Sequence, residues 1–260
     1  MKKRTQKIIL LLIALLSASP LMAQSVLKVM SLNAKSGEIA TRDMFVRTIR
    51  AERPDIIAFQ EIDYFTDRAG NFVKKDMIME LADELGMFPY FGKAINYRNG
   101  EYGNAILSRY PIIECGNLLL PAPTGSKEQR VYTWGMIQLP SGKKLVAGSI
   151  HLDNSTTAIR VQQINALKEF AASKQEVPVM VCGDFNVGVD GEEIVTGMAT
   201  FDRHCNDAPT WKSLSSSSTA KLDYLFSFPK GAVSGSEYRI VNGASLSDHY
   251  PIVVKITLNK

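Results

Sequence analysis

The feature that most constrains the fold of this chain is a recurring pairing of a short apolar run with a cluster of polar side chains. Five of the six clusters follow or open a run rich in Val, Ile, Leu or Met, and the sixth leads into Tyr250–Leu258. Side chains at the ends of buried strands can converge on one cleft while the strands hold them rigid. The pattern therefore predicts one polar cleft at the edge of a sheet. The six clusters are Ser31-Leu32-Asn33, Gln60-Glu61, His151-Leu152-Asp153, Gly183-Asp184-Phe185-Asn186, Leu222-Asp223-Tyr224 and Ser247-Asp248-His249.

The amino terminus has the composition of a secretory signal peptide. Four basic residues within the first seven precede an apolar run at Ile8–Leu16, and small residues follow up to Ala23. The run is shorter than the about 20 apolar residues that a transmembrane helix needs. The pattern predicts a signal peptide over residues 1–23 and an exported protein without a membrane anchor, in a periplasm or outside the cell.

Removal of that segment changes the charge of the chain. The full sequence has a formal net charge of +4, with 30 Lys/Arg and 26 Asp/Glu, but residues 1–23 contain four of the basic residues and no acidic one. The remaining chain is electrically neutral, so there is no bulk electrostatic argument for binding nucleic acid. We expect residues 24–260 to form one domain and the protein to be a monomer.

The cysteine content leaves the disulfide state open. With three cysteines in the sequence, at least one thiol would stay unpaired in an exported protein. Cys182 lies in an apolar run and is expected to be a small buried side chain. A bridge between Cys115 and Cys205 remains conceivable, because disulfide formation depends on a geometry that the sequence does not show.

Strand-like and helix-like stretches alternate along the rest of the chain. Helices are predicted over Ile39–Arg50, between a cap at Asp76 and a stop at Gly86, and after a cap at Ser155 or Thr156. So many strands with few helices indicate two sheets packed face to face with helices outside, in an α/β or α+β domain. The predicted strands are Val26–Leu32, Ile56–Phe59, Ala105–Leu107, Val131–Leu139, Leu145–Ile150, Val177–Val181, Leu222–Phe228, Tyr238–Val241 and Ile252–Leu258.

The side chains in the clusters are of the types that phosphoester hydrolysis requires. Mg²⁺ prefers hard oxygen ligands, which Glu61 and Asn33 can supply, although each alone would be an ordinary strand end or turn residue. Two of the three histidines, His151 and His249, can accept a proton from water or stabilise a phosphoryl oxygen. His204 has no supporting pattern and is expected to be structural.

A tight turn carries two further polar groups. Asp184 and Asn186 follow a hydrophobic strand, and Gly183 lets the backbone approach its neighbours closely. The carboxylate can accept a proton while the amide two residues later holds the nucleophile or a phosphate.

With these motifs, the chain resembles the endonuclease/exonuclease/phosphatase superfamily of DNase I-like phosphoesterases, from Asn33 to His249. The resemblance implies a four-layered α/β/β/α sandwich with two mainly antiparallel or mixed sheets, in agreement with the predicted elements. It also implies metal-dependent hydrolysis of a phosphoester, with Mg²⁺ as cofactor and Mn²⁺ as a substitute. The motifs that carry it are Gly183–Asn186 and Ser247–His249, supported by Gln60-Glu61, His151 and Leu222-Asp223-Tyr224.

The resemblance further implies which side chains bind the metal and the substrate. Glu61 would bind the metal, with Asn33 and Asp248 completing or supporting its coordination. Tyr102 and Asn104 lie where family members place residues that contact the substrate phosphate.

The catalytic roles implied by the resemblance fall on the remaining clusters. Asp223 would accept a hydrogen bond from His249 and fix its tautomer. Either His249 or Asp184 would activate the attacking water, which Asn186 would position. His151 would stabilise the transition state or assist the leaving oxygen.

The substrate is not decided by the sequence. Inositol 5-phosphatases carry a Trp-Cys-Asp-Arg signature after a proline, whereas this chain has Pro209-Thr210-Trp211-Lys212, which counts against that class. An apolar element at Leu118–Pro121 and Trp134 would suit a lipid substrate. Nucleic acid, lipid and small phosphate esters stay open, as does a non-catalytic binding module on the same fold, although no catalytic residue is missing. A basic rim for nucleic acid could be formed by Arg68, Lys74, Lys75, Arg98 and Arg109.

Overall fold

The structure of the protein is a computed structural model that describes residues 26–174, 176–243 and 245–259. The signal peptide expected at residues 1–23 lies outside the described residues. None of the helices within those three ranges is long and apolar enough to cross a membrane.

The described residues form fourteen strands and three α-helices. The helices are α1 (Arg42–Glu52), α2 (Met77–Leu85) and α3 (Thr157–Ser173), with a 3₁₀ turn at Lys35–Gly37 and a π-helical turn at Glu193–Gly197. The strands are β1 (Val26–Asn33), β2 (Ile56–Tyr64), β3 (Phe88–Tyr97), β4 (Gly100–Ser108), β5 (Ile112–Leu119), β6 (Val131–Gln138), β7 (Lys144–His151), β8 (Val179–Asp184), β9 (Asp202–Arg203), β10 (Trp211–Lys212), β11 (Thr219–Ala220), β12 (Asp223–Phe228), β13 (Val233–Ile240) and β14 (Ile252–Leu258).

Twelve of these strands form two six-stranded mixed sheets. The strand order is β13-β14-β1-β2-β4-β3 in the first sheet and β5-β6-β7-β8-β12-β9 in the second, and β10 and β11 form a separate hairpin. Each sheet has one parallel pair, β1 with β2 and β7 with β8, and the other pairs are antiparallel. The crossover between the parallel strands contains α1 in the first sheet and α3 in the second, as parallel pairing requires.

Three apolar cores divide the molecule into four layers. The central core packs residues of both sheets together, including Val29 and Ile256 of the first sheet and Met180 and Leu225 of the second. A second core lies between the first sheet and helices α1 and α2, and a third lies between the second sheet and α3. The arrangement is the α/β/β/α sandwich that the sequence predicted.

The helix boundaries follow local capping chemistry. Asp76 accepts a hydrogen bond from the backbone N–H of Met79 at 2.9 Å, and Gly86 ends α2 in the left-handed region at φ 63°, as predicted. Thr156 rather than Ser155 caps α3. Helix α1 begins at Arg42, later than predicted, because Thr41 caps it.

The sequence missed β3 and β5, which lie at the edges of the two sheets. Both have largely half-buried or exposed side chains, so they lack the continuous apolar run that marks a central strand. The sequence also placed β13 too late, since this exposed edge strand starts at Val233 and not at Tyr238.

All three cysteines are free thiols. Cys182 is buried in the central core, as expected, while Cys115 is exposed on β5 and Cys205 is half-buried after β9. The bridge between Cys115 and Cys205 that the sequence left open is therefore not formed. His204, expected to be structural, lies 2.7 Å from the Ser227 hydroxyl of the neighbouring strand β12.

Candidate active site

The predicted polar clusters meet in one cleft of about 330 Å³ at one end of the sandwich. Asn33, His151 and Asp184 are the last residues of β1, β7 and β8, which come from the two parallel pairs. Asp223 opens β12, which runs antiparallel to β8, so it faces Asp184 directly across the pair. The carboxyl ends of parallel strands are the usual place for a ligand site in α/β proteins, because the loops leave the sheets there.

A β-bulge turns Glu61 into the cleft. The register of β2 against β4 shifts between Phe59 and Ile62, and Glu61 has a left-handed backbone with φ 55°. A bulge redirects side chains out of the regular alternation of a strand. Glu61 consequently lines the cleft, where its Oε1 accepts a hydrogen bond from Asn33 Nδ2 at 2.8 Å.

Gln60, which belongs to the same sequence cluster, is not in the cleft. Its side chain is fully buried between the sheets and donates to the Ser149 hydroxyl at 2.8 Å, while that hydroxyl donates to the Phe59 carbonyl at 2.6 Å. Gln60 therefore ties β2 to β7 beneath Glu61. This contact fixes the two walls of the cleft relative to each other.

The turn after β8 depends on the glycine that the sequence singled out. Gly183 has φ 149°, and a Cβ at this position would lie 2.0 Å from the carbonyl oxygen of Ile150 in β7. The next residue, Asp184, accepts the backbone N–H of Asn186 at 2.8 Å, and Asn186 donates its amide to the Leu152 carbonyl at 2.8 Å. Asn186 also has a left-handed backbone, with φ 50°, a conformation that tends to occur at functional sites.

His249 lies between two buried carboxylates. Its Nδ1 is 2.9 Å from Asp223 Oδ2, the contact that the sequence predicted, and its Nε2 is 3.6 Å from Asp184 Oδ2. Burial lowers the pKa of His249, but the carboxylates of Asp223 and Asp184 outweigh that effect and raise it to about 10. Burial raises the pKa of Asp184; His249 lowers it and Asp223 raises it.

His151 has a cation as its partner. Arg130 is only 5% exposed, and its Nη1 lies 3.0 Å from His151 Nδ1 and 2.9 Å from Glu128 Oε1. A guanidinium group only donates hydrogen bonds, so Nδ1 is the acceptor and the proton of the neutral ring lies on Nε2, 3.6 Å from Asp184 Oδ2. Burial, the charge of Arg130 and His249 together hold the pKa of His151 well below its usual value.

Arg130 was not identified from the sequence. The only signal at position 130 is a lone arginine directly before the apolar strand β6, and its distance from His151 depends on the pairing of β6 with β7.

Asp248 lines the cleft next to His249, and a lysine neutralises it. Lys35 Nζ lies 3.0 Å from Asp248 Oδ2, and the Ser247 hydroxyl donates to Asp248 Oδ1 at 3.1 Å. Burial raises the pKa of Asp248, but the hydrogen bond from Lys35 and the positive charges of His249 and Lys35 outweigh it and lower the pKa. Lys35 is the second site residue that the sequence did not identify.

Two groups of side chains in the cleft could hold a cation. Glu61 offers the hard oxygen donors that Mg²⁺ prefers and receives only a neutral amide N–H. Asn33, predicted as a second ligand, is fully buried: its amide nitrogen donates to Glu61 and Asp184, and its oxygen accepts the N–H of Lys35 at 3.1 Å, so it supports Glu61 through a hydrogen bond. A second possible site is formed by Asp184, Asp223 and His249, which are all buried and each offer one carboxylate oxygen or imidazole nitrogen within 4.8 Å of the other two. We favour the first group, because His249 already bonds Asp223 and faces Asp184 with its second ring nitrogen. The donor chemistry at Glu61 fits a divalent metal ion.

The two predicted substrate contacts differ in position. Tyr102 lines the cleft, with its ring 6.0 Å from that of Tyr97. Asn104 donates its amide to the carbonyls of Val131 and Ser149, at 2.8 and 3.2 Å, so it bridges the two sheets. Its role as a phosphate contact stays a prediction. Trp211, at the start of the β10–β11 hairpin, adds an aromatic wall that was not predicted as such.

The residues proposed for a basic rim or a lipid contact are mostly paired or covered. Arg68 pairs with Asp63 and Glu38, Lys75 with Glu80, and Arg109 with Asp55 near the opposite end of β4. Of the lipid candidates, Trp134 is 8% exposed, with Lys174 Nζ 3.6 Å above its ring, whereas Leu119 is 59% exposed on β5.

The chain is similar to known proteins both in sequence and in fold. Residues 33–249, which hold the cleft, fall within a match to the model of the endonuclease/exonuclease/phosphatase family over residues 30–249. The uncharacterized protein YbhP of Escherichia coli K12 is 27% identical over 169 residues, which are 61% of this chain. This chain spans 66% of the length of that relative.

Several solved structures share the fold. An endonuclease/exonuclease/phosphatase from Bacteroides vulgatus superposes with a TM-score of 0.73 at 19% identity, covering 91% of this chain and 100% of that one. The mannosyl-6-phosphatase Bt3783 of Bacteroides thetaiotaomicron superposes with a TM-score of 0.71 at 16% identity, covering 88% of this chain and 99% of that one. The catalytic domain of human Nocturnin, solved with a bound sulfate anion, superposes with a TM-score of 0.69 at 21% identity, covering 90% of this chain and 95% of that one.

The family name joins nucleases and phosphatases, which both cleave phosphoester bonds. On the match over residues 30–249, together with the two-sheet sandwich and its cleft, the chain belongs to the endonuclease/exonuclease/phosphatase family.

Proposed function

We propose that the protein is an exported, Mg²⁺-dependent phosphoesterase that hydrolyses a small phosphate ester by in-line attack of an activated water. The proposal rests on the position of the Asp184 carboxylate, whose Oδ2 lies 3.6 Å from both His151 Nε2 and His249 Nε2. All three side chains line the cleft, so a water molecule or a phosphoryl oxygen bound beside them would have both a carboxylate and imidazole nitrogens as polar partners.

Asp184 is the better candidate for the base that activates water. Its Oδ1 accepts the Asn186 N–H, and its Oδ2, which accepts a longer hydrogen bond of 3.3 Å from Asn33 Nδ2, faces the two histidines of the cleft. The raised pKa of Asp184 makes this carboxylate a stronger base than an ordinary aspartate. The raised pKa of His249 keeps its ring cationic near neutral pH, where it can donate a hydrogen bond but not accept a proton. We therefore assign the base to Asp184 and charge stabilisation to His249.

The remaining cleft residues hold the reacting groups in place. Asp223 orients His249 through Nδ1, and Arg130 keeps the Nε2 proton of His151 directed at the cleft. The Nε2–H groups of His151 and His249 can then donate to the phosphoryl oxygens as negative charge develops on those oxygens. A divalent cation held at Glu61, whose carboxylate Asn33 orients, would supply Lewis-acid stabilisation of the phosphoryl group.

Two observations favour a small ester over a nucleic acid. Three of the five candidate rim cations, Arg68, Lys75 and Arg109, are paired with carboxylates, which weakens the case for a nucleic-acid phosphate backbone as the ligand. The aromatic side chains Tyr102 and Trp211 border a cleft of about 330 Å³, a size that suits a small organic group. The phosphatase Bt3783, which acts on a mannosyl 6-phosphate by its name, has the same fold and supports testing sugar phosphates first.

A substrate panel tests the proposal. The purified protein is assayed with Mg²⁺ against hexose phosphates and p-nitrophenyl phosphate, and in parallel against bis-p-nitrophenyl phosphate, plasmid DNA and sphingomyelin. We expect turnover of the monoesters, its loss in EDTA, and its recovery with Mg²⁺ or Mn²⁺. Asp184→Ala serves as the inactive control and Asp190→Ala, an exposed residue of the following loop, as the matched control.

The outcomes separate the alternatives. Cleavage of DNA with no monoester turnover would replace the proposed substrate by nucleic acid, and cleavage of sphingomyelin alone would replace it by a lipid. Hydrolysis that persists in EDTA would remove the metal from the proposal. No turnover of any substrate by folded protein would favour the non-catalytic binding module.

Export is tested separately with the full chain. Expression in a bacterial host, followed by fractionation and intact-mass measurement, should give a protein that begins near Gln24 outside the cytoplasm. A full-length protein in the cytoplasmic fraction would reject this part of the proposal.

A further inference from the structure

The backbone of Trp211 is held next to the catalytic histidine. Trp211 pairs with His249 in an isolated antiparallel bridge, and on its other side it pairs with Ala220 across the β10–β11 hairpin. The N–H of Lys212, the next residue, donates to the carbonyl of Asp248 at 2.9 Å. Side chains on paired strands are positioned more precisely than side chains on free loops. The indole ring therefore has a fixed place beside the reacting groups.

The ring of Trp211 has no partner of its own. Trp211 is half-buried and lines the cleft. Among the residues that the structure describes, no aromatic ring or cation packs on the indole and no acceptor bonds its N–H. Tyr102, which also lines the cleft, has the ring of Tyr97 at 6.0 Å and the guanidinium of Arg68 at 5.4 Å. Because a tryptophan N–H usually finds a partner, a ligand in the cleft is the group that can supply one.

A second side chain that lines the cleft is also open to a ligand. Asn154 is exposed and follows the cluster that contains His151. Its neighbour Asp153 is fully buried and accepts the N–H of Lys127 and the N–H of Ser155, both at 2.8 Å, so the backbone at Asn154 is anchored. The carboxamide of Asn154 makes no hydrogen bond within the described ranges. A carboxamide donates and accepts at once, as a hydroxyl group does, so the two are well matched.

The surface around Trp211 is uncharged. Ala220 and Leu222 line the cleft together with Trp211, whereas the carboxylates and imidazoles lie with Asp184 and His249. In the proposed reaction the phosphoryl group is bound by the ionisable groups. The uncharged side is consequently the place for the organic group that leaves with the ester oxygen.

We infer that Trp211 and Asn154 bind the pyranose ring of a sugar monophosphate, with one face of the sugar on the indole and its hydroxyl groups on the indole N–H and the carboxamide. The inference rests on the proposed phosphoesterase function and names the leaving group of that reaction. The face of an aromatic ring is electron-rich and attracts the weakly positive C–H groups of a sugar ring. A plain hydrocarbon group would use the indole face and leave both polar groups without a partner. The base of a nucleoside 5′-phosphate would lie farther from His249, because the ribose separates it from the phosphate.

The test compares phosphate release from monoesters that differ in the leaving group. Mannose 6-phosphate and glucose 6-phosphate carry a ring with hydroxyl groups, cyclohexylmethyl phosphate carries a ring of the same size without them, and ethyl phosphate carries no ring. Wild-type protein should prefer one of the hexose phosphates over ethyl phosphate by about tenfold or more in kcat/KM. Adenosine 5′-monophosphate is assayed in parallel.

Variants then separate the two kinds of contact. Trp211→Ala should raise KM for the preferred hexose phosphate by about tenfold or more and change the kinetics of ethyl phosphate by less than about threefold. Trp211→Phe keeps an aromatic face without the N–H, and Asn154→Ala removes the carboxamide. Each should raise KM for the hexose phosphate by about fivefold and leave cyclohexylmethyl phosphate unchanged, since only the sugar has hydroxyl groups. Leu214→Ala, which alters an exposed residue of the same hairpin, is the matched control and should behave as wild type.

A binding measurement gives a readout without turnover. Calorimetry with the preferred hexose phosphate should show about tenfold weaker binding to Asp184→Ala/Trp211→Ala than to Asp184→Ala alone. Equal affinity of the two proteins would overturn the inference.

The remaining outcomes separate this inference from the proposed function. An equal rise in KM for all the esters in Trp211→Ala, or no effect of Trp211→Phe and Asn154→Ala on the hexose phosphates, would overturn the inference. A preference for adenosine 5′-monophosphate that Trp211→Ala abolishes would assign the indole to a base and overturn it as well. Turnover of ethyl phosphate without a preference for hexose phosphates would reject the sugar site and leave the phosphoesterase function standing. No turnover of any monoester would refute the proposed function, and this inference with it.

Discussion

Thr210 offers a sharp test of how the catalytic groups are held, because one hydroxyl serves two backbone donors. Its side chain is fully buried, and Oγ1 accepts the N–H of Leu222 at 3.1 Å and the N–H of Asp223 at 3.0 Å. Its carbonyl accepts the N–H of Tyr250 at 2.7 Å, next to His249. Thr210 therefore joins the segment that carries Asp223 to the segment that carries His249.

Thr210→Val keeps the shape of the side chain and removes this acceptor. The N–H of Asp223 is buried and that of Leu222 is partly buried, so the loss of their common acceptor costs about 2–4 kcal/mol of unfolding free energy. For a chain of this length, 1 kcal/mol corresponds to roughly 2–4 °C, so we expect Tm to fall by roughly 4–16 °C. Thr210→Ser keeps the hydroxyl and loses one methyl group, which costs about 1 kcal/mol.

The assay is thermal unfolding by circular dichroism in EDTA, which removes stabilisation by bound metal. Turnover is then measured well below both melting temperatures. The Val variant should lose about tenfold in kcat with KM nearly unchanged, because Asp223 is no longer held against His249. A Val variant as stable as the Ser variant would show that the hydroxyl does not satisfy these donors. Full kcat in a destabilised Val variant would show that Asp223 is positioned by other contacts.

Three further predictions concern the cleft itself. Asp184→Ala and His249→Ala should each lower kcat by about 100-fold or more while the protein stays folded, and near-full activity in either folded variant would contradict the assigned constellation. Arg130→Met should lower kcat by about tenfold because His151 loses the donor at Nδ1, and Arg130→Lys, which still donates, should recover part of the loss; equal activity of the two would argue against this role. In EDTA, wild-type stability relative to His249→Gln should be greatest below about pH 6.5 and should decline as the pH rises towards about 10. The folded state keeps a proton on His249 that the unfolded chain has released in this pH range, so raising the pH favours the unfolded wild-type chain. A difference in unfolding free energy between the two proteins that does not change with pH would refute this prediction.

The sequence predicted the fold well where local chemistry decides the structure. The central strands read as continuous apolar runs because both of their faces are buried, and the caps at Asp76 and Thr156 were visible as residue types. The edge strands β3 and β5 were missed, since an edge strand can be half-exposed and carry no clear apolar pattern. The start of α1 was placed too early, because the cap at Thr41 was not recognised.

Within the site, the sequence predicted residues whose roles follow from their position at strand ends. The contact between Asp223 and His249 was expected and is observed, as is the need for glycine at position 183. Arg130 and Lys35 were not expected, because nothing in their immediate neighbours marks a basic residue as part of a cleft. Asn104 was expected to contact phosphate, and the structure places its amide on two backbone carbonyls between the sheets.

The apolar runs of the sequence by themselves determined an α/β or α+β domain with two packed sheets, and the polar groups that end these runs determined most of the residue types that line the cleft. Only the tertiary structure decided which partner each group has: Arg130 for His151, Lys35 for Asp248, and the Ser149 hydroxyl for Gln60. These pairs join positions that are 21, 213 and 89 residues apart. Their distances depend on the register of β6 with β7, on a bulge in β2 and on a strained turn after β1. Such features arise from the packing of the whole molecule, because no local pattern specifies how two distant strands align.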